Sequence, residues 1–82
     1  MEKNIEFYEL SIKFESQLKS AAHFEGAREF ITIEKGSVEI SAGVDSCTLA
    51  EGDSAHYRGD IEHSIKNIGE GEAVCFLVVS YS

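Results

Sequence analysis

Turns in this chain have to be built on glycine. The sequence holds seven glycines and no proline, although average usage of about 5% would supply roughly four prolines at this length. The glycines fall at Glu25-Gly26, Lys35-Gly36, Ala42-Gly43, Glu51-Gly52, Arg58-Gly59 and Gly69-Glu70-Gly71, with stretches of strand length between them. Short segments punctuated in this way point to an all-β sandwich or barrel.

Within the segments the apolar period is two, as in strands with one buried face. Tyr8, Leu10, Ile12 and Phe14 alternate with Glu9, Ser11 and Lys13, and Val38 and Ile40 alternate with Glu39 and Ser41. No segment carries a helical stripe. The stretch from Ala73 to Val79 is apolar on both faces, as expected of a strand held between a barrel interior and a second layer or partner subunit. A homodimer is expected on that ground.

The chain of 82 residues and 9.0 kDa is read as one domain, residues 1–82, because it shows no linker, repeat or composition shift and is too short for two cores. Fifteen Asp and Glu against seven Lys and Arg give a net charge of −8. Such a surface repels polyphosphate, so no direct nucleic-acid contact is expected. No apolar run approaches the roughly 18 residues of a membrane helix, and no export signal opens the chain. A soluble, cytoplasmic protein without membrane contact is expected. Cys47 and Cys75 are far apart and form no CxxC pair, which argues against a disulfide framework or a thiolate zinc site. Both read as small buried hydrophobes.

The chemistry concentrates in two places. The first reads His23-x-Glu25-x3-Glu29-x6-Gly36. Glu29 shares its parity with Ile31 and Ile33, so it points inward, where a carboxylate needs a cation, a proton or hydrogen-bond donors. The second runs from Gly52 to Asn67, with His63 on the parity of Ile65 and therefore also inward. His56 has the parity opposite to Ala55 and Tyr57 and reads as outward. Arg58-Gly59-Asp60 reads as a turn.

Together these residues resemble the cupin family. Its usual first motif is G-x5-H-x-H-x3 or x4-E-x6-G, matched by His23, Glu29 and Gly36, and its second is G-x5-P-x-G-x2-H-x3-N, matched by Gly52, His63 and Asn67. The chain looks most similar to the small cupin domains at the C-terminal end of helix-turn-helix transcription regulators. The resemblance implies a small jelly-roll β-barrel of two antiparallel sheets, with strands near residues 5 to 14, 18 to 24, 28 to 35, 37 to 42, 45 to 50, 53 to 58, 62 to 68 and 72 to 81.

It also implies a metal position. The family's ligands carry over to His23, Glu25, Glu29 and His63, a set of two imidazoles and two carboxylates suited to iron, manganese, nickel, cobalt or zinc. Three departures bear on that transfer: Glu25 stands in place of the second histidine, Arg58 in place of the motif proline, and Asp60 in place of the motif glycine. With Glu25 facing solvent, the other three would instead form a hydrogen-bonded cluster. A small-molecule ligand is expected in a barrel lined by Ile31, Ile33, Val38, Ile40, Tyr57 and Ile65. Arg28, Tyr57 and Asn67 are candidates for the pocket, Asn67 also being suited to fixing a turn.

The function implied is a small-molecule-binding module like the effector-sensing part of a transcription regulator. The alternatives are a small metal-dependent enzyme of the dioxygenase, isomerase or decarboxylase kind, and a dimeric scaffold with a filled barrel.

Overall fold

The computed structural model describes residues 4–22 and 25–81. Eight strands follow one another: β1 (Ile5–Ile12), β2 (Gln17–Ser20), β3 (Arg28–Lys35), β4 (Ser37–Ala42), β5 (Asp45–Ala50), β6 (Ser54–Arg58), β7 (His63–Asn67) and β8 (Ala73–Ser80). They form two four-stranded antiparallel sheets, in the order β1-β8-β3-β6 and β2-β7-β4-β5. No helix among the described residues is long and apolar enough to cross a membrane.

The inner faces follow from the two-residue period. In β8 every second residue is buried, so Ala73, Cys75, Leu77 and Val79 enter the core while Val74, Phe76 and Val78 are half-buried on the outer face. Ile31 and Ile33 of β3 meet Val38 and Ile40 of β4, Leu49 of β5 and Ile65 of β7 in a single apolar cluster. Removing these side chains from water is the main drive for stacking the two sheets.

Glycine sets two of the turns. Gly36 carries the chain from one sheet to the other with φ +86°, and a Cβ placed there would come within 3.1 Å of the Ala73 Cα. Both the backbone angle and the close approach exclude a side chain. Gly43 opens a two-residue hairpin between β4 and β5 with φ +61°, the left-handed first position such a tight turn demands.

Among the described residues no strand of one sheet is paired with a strand of the other. β1 and β6 are edges of one, β2 and β5 of the other, so the sandwich is open along two seams. Two expectations fail for reasons of position. Phe14 keeps the inward parity, yet it is 54% exposed, because the chain leaves β1 at Ile12 and turns through Phe14 and Glu15, the latter at φ +63°. Cys47 lies opposite buried Ile40, yet it is exposed because β5 is an edge strand with no neighbour on its far side. Cys75, in a central strand, is fully buried.

Candidate functional site

Each open seam of the sandwich leads into a cavity. The first, of about 300 Å³, lies between β1 and β2 and is lined by Leu10, Leu18, Ile65, Leu77 and Val79, with Glu29 and His63 among its polar groups. The second, of about 310 Å³, lies between β5 and β6. Both sit at the lower end of volumes that hold small ligands, about 300 to 1,000 Å³.

Glu29 is the group most out of keeping with its surroundings. Its parity in β3 carries it inward with Ile31 and Ile33, and it is 2% exposed. The Tyr57 hydroxyl donates to Oε1 at 2.8 Å, and His63 Nε2 lies 2.8 Å from Oε2. The other ring nitrogen, His63 Nδ1, donates to the Ile61 carbonyl at 2.7 Å. Since a carbonyl only accepts, Nδ1 carries a hydrogen. Burial, followed by the charge of Glu29 and the hydrogen bond to it, pushes the Tyr57 hydroxyl far above its ordinary pKa, so Tyr57 remains a donor throughout the accessible pH range.

The remaining candidates distribute as follows. His23 lies outside the described residues. Glu25 is exposed, in the turn before β3. Among the described residues no group of three or more His, Cys, Asp or Glu side chains converges to hold a metal ion. Glu29 and His63 are two donors turned on one another, and by themselves they do not fit a metal centre. Arg28 and Tyr57 line the cavity at the β5–β6 seam. Asn67 lies inside the fold: its Nδ2 donates to the carbonyls of Ile12 (2.9 Å), Lys13 (3.2 Å) and Gly71 (2.7 Å), and its Oδ1 accepts from the Gly69 amide at 2.9 Å. That side chain ties β7 to the end of β1 and to the turn before β8.

Sequence reasoning passed over Glu6, which lines the Glu29–His63 cavity and accepts from the Tyr81 hydroxyl at 2.9 Å. The signal was present, since Glu6 continues the inward series of Tyr8, Leu10 and Ile12 by one step. Lys19 and Ser20 line the same cavity from β2, which is too short to show a period.

The architecture is that of a small jelly-roll sandwich with a histidine–carboxylate pair inside. The family model described as "Cupin domain" matches residues 12–80. The chain belongs to the cupin family. Among solved structures it is similar to a transcriptional regulator of the HTH_3 family from Vibrio cholerae, with a TM-score of 0.90 at 22% identity over 96% of this chain and 44% of that one. It thus spans less than half the regulator's length. The cupin domain of an XRE family transcriptional regulator from Enterobacter cloacae gives a TM-score of 0.90 at 16% identity, over 96% of this chain and 83% of that one. A predicted oxalate decarboxylase from Thermotoga maritima gives 0.79 at 19% identity, over 93% and 65%. None of the curated proteins matches the chain in sequence.

Proposed function

We propose that the chain is a small-molecule-binding cupin module of the effector-sensing type, with its ligand in the cavity floored by Glu29 and His63. The observation that carries the reading is Glu29 itself. A buried carboxylate paired with histidine often contributes no more to stability than apolar residues of similar volume, so a filled scaffold has no need of it. A cavity with apolar walls and a few convergent polar groups is suited to binding, and fold alone leaves the chemistry open.

A thermal-shift screen of small polar compounds, run on the wild type and on a Glu29→Leu/His63→Leu variant, tests this. Compounds that raise the midpoint of the wild type alone support it, because a ligand of the folded state stabilises by mass action. A screen in which no compound separates the two proteins overturns it in favour of the scaffold.

A second reading is a metal-dependent cupin enzyme of the dioxygenase, isomerase or decarboxylase kind. It draws on one detail, the Ile61 carbonyl on His63 Nδ1, which is how ligating imidazoles are oriented. It needs a third donor, for which His23 is the candidate and exposed Glu25 a weaker one. Elemental analysis with the thermal midpoint before and after a chelator distinguishes the two: near one iron, manganese, nickel, cobalt or zinc per chain, lost together with stability, favours the enzyme.

The homodimer belongs to the same proposal. A second copy would cover the outer face of the β1-β8-β3-β6 sheet, where Phe7 (66% exposed), Phe30 (43%) and Val78 share one row. Sedimentation of the wild type beside Phe7→Ser tests it.

A further inference from the structure

At the β5–β6 seam two arginines face each other. Arg28 of β3 is paired directly with Arg58 of β6, and the Gly59 amide bonds to the Ala27 carbonyl at 2.8 Å beside them. That bond marks a non-hydrogen-bonded pair, the kind whose side chains stand closest. Like charges so placed disfavour the sheet, and this occurs in a chain with only seven basic residues.

The two guanidinium groups are used differently. Arg58 is held by Asp60, with Nε to Oδ1 at 2.8 Å, while the other Asp60 oxygen takes the Gly26 amide at 3.0 Å. Arg28 donates to His56 Nδ1 at 2.6 Å, and among the described residues no carboxylate is paired with it. Arg28, His56 and Arg58 edge the 310 Å³ cavity, whose walls include Ile40, Ala42, Ala55 and Ile61. Asp45 lies on the facing strand β5, so an anion is favoured at the β3–β6 wall and disfavoured at the opposite one.

We propose that this seam is a second binding site, distinct from the Glu29–His63 cavity, for a small organic carboxylate with a short apolar body. The carboxylate pairs with the Arg28 guanidinium, which matches it in planar, two-pronged geometry, and the apolar body lies against Ile40, Ala42, Ala55 and Ile61.

The test is an amide-resolved NMR titration of the full chain with benzoate, its neutral counterpart benzamide, and inorganic phosphate, on the wild type, Arg28→Gln and Arg28→Lys. Benzoate is expected to give saturable shifts at Arg28, Cys47 and Ala55 to Arg58. Its affinity should fall at least about tenfold in Arg28→Gln, the loss of one charge-assisted pair, and less in Arg28→Lys. Benzamide should bind at least about tenfold more weakly than benzoate on the same ground. The melting midpoint of Arg28→Gln should be unchanged or higher, since a like-charge contact is relieved. Equal binding by wild type and Arg28→Gln, shifts centred on Glu29 and His63, phosphate acting as strongly as benzoate, or no saturable shift at millimolar benzoate would each overturn the proposal.

Discussion

His63 presents Nε2 to Glu29 Oε2 at 2.8 Å while both residues are almost wholly withdrawn from solvent, at 6% and 2% exposure. Removing one member leaves the other buried without its main partner, whereas removing both leaves an apolar patch. His63→Leu alone is therefore expected to destabilise the fold by about 3 kcal/mol, and Glu29→Leu/His63→Leu by clearly less than the sum of the single changes. Urea denaturation of the three variants measures this, and additive losses would show that the pair is not coupled.

Asn67 holds three carbonyls and one amide from two distant parts of the chain, the end of β1 and the turn before β8. Asn67→Asp replaces the donating Nδ2 with an acceptor facing three other acceptors. The expected cost is about 3 kcal/mol, with about 2 kcal/mol for Asn67→Ala, which only leaves the groups unmade. Equal midpoints for the two variants in urea would contradict this order.

Asp60 links pH to stability. The Arg58 guanidinium, then the Gly26 amide, draw its carboxyl down from 3.8 to about 2. A carboxyl whose folded pKa lies below the unfolded one stabilises the fold above the unfolded value and loses that contribution as pH falls through the folded value. The thermal midpoint of the wild type should exceed that of Asp60→Asn near neutral pH. The gap should narrow below about pH 4 and close near pH 2. A gap independent of pH would mean that Asp60 acts by shape alone.

The two thiols should differ in reactivity. Burial pushes the Cys75 thiol up to about 11 and closes it to reagents, whereas Cys47 is exposed on an edge strand. Since the thiolate is the nucleophile, iodoacetamide at mildly alkaline pH should add one group to the native chain, at Cys47, and two in urea. Peptide mapping that finds Cys75 modified in the native chain would refute the assignment.

Parity carried most of what was legible beforehand. It turned Glu29 inward with Ile31 and His63 inward with Ile65, and the structure places both there. The spans of β4 and β5 also agree with those expected, residues 37 to 42 and 45 to 50. Parity names the side of a strand and says nothing of where the strand stops or whether a neighbour covers it, which is why Phe14 and Cys47 were misplaced. Nor could local spacing show that Asn67 reaches carbonyls 54 and 55 residues away, or that Arg28 meets Arg58.

Tyr57 lines one cavity and Glu29 and His63 line the other, while the single Glu29 carboxylate accepts from the Tyr57 hydroxyl on one side and lies 2.8 Å from His63 Nε2 on the other. The interior is therefore two chambers with a polar partition in common. Any substitution that refits one chamber by moving Tyr57, or the other by moving His63, alters the wall of its neighbour, so the specificities of the two ends of this barrel cannot be redesigned, or evolve, separately.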